Sequence, residues 1–183
     1  MRSITEMQQQ LGRGAFVTTV FSGVVLTLLI VTACRRVGAD AAGRAVAGLA
    51  LLGAVVGVLS LTLLGGDPDA DPQLFLDPLQ GAWGWSGIAW RPVMDNVILF
   101  VPIGAFAAAM VPRRGVLTVW WSCVAFSVLI EAFQYLVPTG RVANTADVLA
   151  NAVGALIGVL MAWILGVGGR PRPGGDLRSS DPG

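Results

Sequence analysis

Apolar residues in this chain gather into five long runs, at about Gly14–Cys34, Ala45–Leu64, Val93–Val111, Val116–Val137 and Asp147–Val167. Each run is close to the roughly 20 residues that an α-helix needs to cross the hydrocarbon core of a bilayer. Nearly all charges fall in the short stretches between the runs. The pattern predicts an all-α fold, a polytopic transmembrane bundle of about five helices. It divides the chain into a polar N-terminus (1–13), two transmembrane helices (14–64), an extracytoplasmic acidic and tryptophan-rich loop (65–92), a three-helix core (93–167) and a disordered cytoplasmic tail (168–183).

Local signals refine this division. The first run is longer than the apolar region of about 7–15 residues found in a signal peptide, so a retained helix is expected. Val31-Thr32-Ala33-Cys34 resembles a bacterial lipobox, but cleavage there would leave Arg35 and Arg36 outside the membrane. Gly53 and Gly57 form a small-residue face on the second helix that lets another helix approach. The long connection opens on the helix-breaking run Gly65-Gly66-Asp67-Pro68-Asp69-Ala70-Asp71-Pro72, then carries Leu74, Phe75, Leu76, Trp83, Trp85 and Trp90. Tryptophans in such a setting favour the headgroup interface. The alternating aspartates resemble the start of an EF-hand loop, but its glycine is missing and Pro78 stands where the last acidic ligand belongs. Pro102 lies inside the third run, where it removes a backbone donor and kinks the helix.

Composition narrows the function classes. Of 183 residues, 55% are hydrophobic and 13% charged, too apolar for an ordinary soluble domain. A net charge of +1 argues against nucleic-acid binding, and the lack of histidine removes the usual metal ligand and general base. Cys34 and Cys123 make no zinc spacing, so neither a metal nor a cofactor is expected. All twelve basic residues are arginine. With five helices, Arg35, Arg36, Arg44, Arg113, Arg114, Arg170, Arg172 and Arg178 fall on one side, and Arg2, Arg13, Arg91 and Arg141 on the other. The positive-inside rule makes the first side cytoplasmic, with the N-terminus outside and the C-terminus inside.

Polar residues in the last three helices stand out against this apolar background. Asp95 and Asn96 open the third helix, Glu131 and Gln134 lie near the end of the fourth, and Asp147 and Asn151 begin the fifth. Arg141 sits in the loop between the last two. Glu131 is six residues before Val137, roughly 9 Å deep at 1.5 Å per residue. By topology all seven converge on the outer leaflet. Charged groups at membrane depth are expensive and face a bundle interior or a cavity. Arg141 against Asp147 or Glu131 would neutralise a carboxylate. Asp147, Asn151, Gly154 and Gly158 form one stripe on the fifth helix, with Gly154 and Gly158 available for close packing. The group is either a network that locks three helices together or a pocket that binds a headgroup.

Four segments in order resemble the VanZ-like family. They are Asp95-Asn96-Val97-Ile98-Leu99-Phe100-Val101-Pro102-Ile103-Gly104, Glu131-Ala132-Phe133-Gln134, Gly140-Arg141, and the helix from Asp147 through Asn151 and Gly154 to Gly158. The resemblance covers about residues 91–167, with Leu74–Leu79 a further candidate segment. Relatives often carry further acids before the last helix, where this chain has Asn144 and Ala146. Helices one and two carry no family motif. The resemblance implies a multi-pass bacterial plasma-membrane protein with a role in the cell envelope. The family's namesake is associated with resistance to glycopeptide antibiotics, teicoplanin especially.

Several functions remain open at this stage. The leading expectation is a non-enzymatic accessory or binding protein whose partners are membrane lipids, a lipid-linked wall precursor or a lipoglycopeptide. A membrane enzyme on lipid-linked precursors would use Asp95, Glu131 and Asp147 for acid–base work. A small transporter would carry protons on Glu131. A scaffold would use the cluster only to fix helix packing. The small-residue faces could join helices within one chain or between copies in an oligomer.

Overall fold

A computed structural model describes residues 4–63, 74–75, 90–137 and 143–167. The helices are α1 (Ile4–Arg36), α2 (Asp40–Leu63), α3 (Trp90–Met110), α4 (Val116–Leu136) and α5 (Thr145–Ile164). All five are long and apolar enough to cross a membrane. The bundle is that of a multi-pass membrane protein. Among the described residues the remaining regular structure is slight. Arg113–Gly115 form a single 3-10 turn, and two two-residue strands, β1 (Leu74–Phe75) and β2 (Ala143–Asn144), pair in parallel. The acidic opening of the long loop, Trp83, Trp85, Arg141 and the tail from Gly168 lie outside the described residues.

Helix limits differ from the apolar runs at several places; α3 begins at Trp90, so residues 90–92 lie on helix and not in the loop, and four helices in all start early. Helix α1 begins at Ile4, so Glu6 and Arg13 lie on helix instead of in a separate polar leader. Helix α2 begins at Asp40, five residues before the apolar run, which places an acid in its first turn. The acid suits the positive end of the helix dipole. Helix α5 begins two residues before Asp147, at Thr145. In each case a polar turn that hydropathy excludes still completes the helical hydrogen-bond ladder.

Two helix ends carry the same terminating device. Gly38 has φ +80°, the amide of Ala39 donates to Cys34 O and that of Gly38 to Arg35 O. Gly166 has φ +71°, with Val167 donating to Ala162 O and Gly166 to Trp163 O. These paired bonds satisfy the last carbonyls of α1 and α5, and the left-handed conformation they need costs glycine little.

The centre of the bundle is the contact of α3 with α5. A Cβ added to Gly154 would overlap the carbonyl of Val97, and one added to Gly158 the carbonyl of Val101. A Cβ on Gly104 would overlap the carbonyl of Ala155. From the Val97–Gly154 pair to the Val101–Gly158 pair both helices advance by four residues, so α3 and α5 run parallel with backbone against backbone. Phe100, Val101, Ala105, Ala109, Ala155, Val159 and Ala162 are buried around this seam. Helices α1 and α2 cover the far side of α3, and α4 packs on α5. Pro102 is half-buried on α3 within this region. By contrast, a Cβ on Gly53 or Gly57 would meet no atom within 4 Å. Among the described residues that face of α2 meets no close neighbour, and the small-residue seam they form is the one on α5.

Large apolar side chains cover the outer surface, among them Leu49, Leu117, Leu129, Leu136 and Ile164. Such a surface suits lipid as its solvent.

Substituting Gly154 or Gly158 by valine should displace α3 from α5. The cost should exceed the ~1–3 kcal/mol of ordinary overpacking, because the obstacle is backbone. Thermal unfolding of the detergent-solubilised protein checks this, with Gly53→Ala expected to melt as the parent does. Equal melting of all three variants would disprove the seam.

Candidate functional site

The start of α5 is built by one residue with three tasks. Asn144 is extended, at φ −139° and ψ 126°, and its side-chain oxygen accepts from the amide of Ala146 at 2.9 Å. This is an N-cap, which satisfies one of the donors that open every helix. Its backbone amide donates to Glu131 Oε2 at 2.8 Å. Its backbone also pairs with Phe75 in the short ladder, as Ala143 does with Leu74. Glu131 is thus tied to the turn that begins α5, and the turn is tied to the long loop.

This bond fixes relative heights. Helix α4 continues from Glu131 to Leu136, about 7.5 Å further at the helical rise. Helix α5, however, starts beside Glu131. The non-helical backbone of residues 143–144 therefore lies at the depth of Glu131 instead of at the tip of α4. Irregular backbone at such depth is tolerated where protein covers it or where it lines a cavity. Both hold here, since β1 pairs with it and a groove of about 570 Å³ adjoins it. Val128, Ala132, Val148 and Leu149 line the groove with apolar groups, while Glu131 and Asn144 form its polar end. Tyr135 and Leu74 stand on its rim.

The other polar residues disperse to separate neighbours. Gln134, although one turn from Glu131, turns to α2 and donates from Nε2 to Thr62 O at 2.8 Å. Thr62 is in the last turn of α2, where carbonyls lack intrahelical donors. Asn151 donates from Nδ2 to Ser127 Oγ at 2.8 Å, inside the α4–α5 contact. Both are buried, and Asn151 Oδ1 has no hydrogen-bond partner among the described residues. Asp95, Asn96 and Asp147 are half-buried, and Asp147 is near enough to Glu131 to act on it electrostatically. Asp95 and Asp147 each make at least one polar or electrostatic interaction. The expected pairing of Arg141 with Glu131 or Asp147 lies outside the described residues. Of the six described polar residues singled out from sequence, Glu131 is the one placed on the groove.

The roles of three participants were not read from the sequence. Asn144 precedes Thr145-Ala146-Asp147, and a cap residue followed by an acid near the helix start is a readable signature. Ser127 lies four residues before Glu131 and seven before Gln134, so the three make one helical stripe. Thr62 contributes through its backbone, and no side-chain pattern could reveal it.

The opposite end of the bundle is basic. Arg35 donates from Nη2 to Ala109 O at 2.6 Å, in the last turn of α3. The Arg113 guanidinium lies 5.9 Å from the ring centre of Trp163. Arg36, Arg44 and Arg114 share that end.

The family model described as VanZ/LLP1 matches residues 69–166. The match starts well before Arg91, so it takes in β1 and widens the resemblance read from the motifs alone. No curated protein and no solved structure matches the chain.

Ser127→Ala and Asn151→Ala should each destabilise the protein by about 1 kcal/mol, within the range for hydrogen bonds between membrane helices. The double variant should cost less than the two together, because one bond is being removed twice. A double-mutant cycle on thermal unfolding measures this, and strict additivity would show that the pair does not interact.

Proposed function

This chain belongs to the VanZ/LLP1 family, and from that membership we propose that it is an accessory binding protein of the bacterial cell envelope. It sits in the plasma membrane with the Glu131 end outside. There it takes up an amphipathic molecule from the outer leaflet. The observation that carries this reading is the groove between α4 and α5. It joins an apolar wall to a carboxylate, and its rim is the lipid-facing surface of the protein: Leu74, Val128, Tyr135 and Leu149 are all exposed. A cleft of several hundred Å³ with few polar groups is the usual form of a small-molecule site.

The arginines support the orientation. Arg35, Arg36, Arg44, Arg113 and Arg114 gather at the end of the bundle away from Glu131, as cytoplasmic ends do. The finer part of the proposal is that uptake of an amphipath here lowers susceptibility to lipophilic glycopeptides such as teicoplanin. Teicoplanin carries an acyl chain and vancomycin does not, so an apolar groove would distinguish them.

Expression in a glycopeptide-sensitive bacterium should raise the inhibitory concentration of teicoplanin several-fold and leave that of vancomycin unchanged. Glu131→Ala and Ala132→Trp, at matched membrane abundance, should abolish the rise. An unchanged teicoplanin value for the parent chain would remove the resistance role.

Orientation has its own check. With Cys34 and Cys123 replaced by serine, a membrane-impermeant maleimide applied to intact cells should label Val137→Cys and spare Val37→Cys. The reverse labelling would turn the protein over in the membrane.

A further inference from the structure

We propose that the groove between α4 and α5 holds one acyl chain of a phospholipid whose headgroup ends in a primary ammonium, with the ammonium on Glu131. This rests on the binding reading above and names the ligand class of the same site.

The apolar wall supplies the first half of the argument. Val128 and Ala132 are one turn apart on α4, and Val148 and Leu149 face them from α5. Together they form a strip along the helices, open to the side where lipid lies. A single extended chain would lie along that strip, with the polar lining residues Glu131, Tyr135, Asn144 and Thr145 left for its headgroup.

Charge supplies the second half. Glu131 is the one charged side chain among the described residues that line the groove, and it is acidic. A carboxylate can accept about four hydrogen bonds, and the amide of Asn144 donates one to it. A headgroup ending in phosphate or glycerol would bring a negative charge or none towards Glu131. A quaternary ammonium carries the right charge but has no N–H to donate. A primary ammonium has both, with three donors on one compact cation.

Height supplies the third. Because α5 begins beside Glu131, the polar backbone of residues 143–144 reaches down to the carboxylate. A headgroup descending along Tyr135 meets polar groups throughout that stretch. Tyr135 is one turn nearer the membrane surface than Glu131 and lines the same groove. Its phenol can donate to the phosphate while the ammonium lies on Glu131.

The test uses the full chain in nanodiscs made of equal parts phosphatidylethanolamine and phosphatidylglycerol, with retained lipid read by native mass spectrometry. Phosphatidylethanolamine should be retained in preference. Glu131→Gln should cut that preference about tenfold, the size of one charge-assisted hydrogen bond, whereas Glu131→Asp should keep most of it. Ala132→Trp, which fills the groove, should remove the retained lipid. If that variant fails to fold, Leu149→Trp at the exposed rim serves the same purpose. Preferential retention of phosphatidylglycerol, or an unchanged preference in Glu131→Gln, would overturn the proposal. So would equally strong binding of glycerophosphoethanolamine, which lacks the acyl chains. Failure here with a teicoplanin phenotype that still depends on Glu131 would leave the broader binding role standing. Lipid preference without any phenotype would do the opposite.

Discussion

Lipid offers helices little reason to associate, because its tails are as apolar as the side chains they would meet. In this protein the attraction comes from bringing two backbones together. Gly104, Gly154 and Gly158 remove the side chains that would hold α3 and α5 apart, and peptide groups of the two helices meet directly. Dispersion forces are weak per atom pair but accumulate over a contact of that density. The parallel pair is the rod against which α1, α2 and α4 are laid. Its register is fixed because a shift of one residue would bring a Cβ onto a carbonyl.

That register decides where the polar groups can act. Fixing α5 along α3 also fixes the height at which α5 begins, and hence the height of Asn144. The bond from Asn144 to Glu131 then sets α4 against the start of α5, with the Ser127–Asn151 bond one turn further in. Gln134 closes the end of α2 in the same layer. The polar residues thus serve two purposes. Some complete the bundle, while Glu131 accepts the backbone amide of Asn144 at the mouth of a groove.

Much of this was legible in the residues, for identifiable reasons. Helix number followed from runs matched to bilayer thickness, and the α5 glycine stripe followed from helical periodicity. The polar cluster was visible as a set because charges at such depth are rare. What periodicity could not supply was direction. Glu131 and Gln134 are neighbours on α4, yet they serve different helices, because the face between them meets both α5 and α2. Gly53 and Gly57 have the same spacing as Gly154 and Gly158, and among the described residues no atom lies close against them. Spacing shows that a close approach is allowed, and only the fold shows whether it occurs. Asn144 was noticed as a missing acid, whereas its work is done by an amide, an oxygen and a strand pairing.

The unequal heights of α4 and α5 also affect the lipid around the protein. A bilayer adapts to the apolar height of the wall it touches, at a modest cost for each ångström of mismatch. Among the described residues, α4 runs five residues beyond Glu131 while α5 begins beside it, so the helical wall there is lower by several ångströms. The leaflet there must thin, and its elastic strain is concentrated at one notch on the circumference. Molecules that relieve this strain, with short chains or bulky heads, will collect at the notch before any specific contact selects among them.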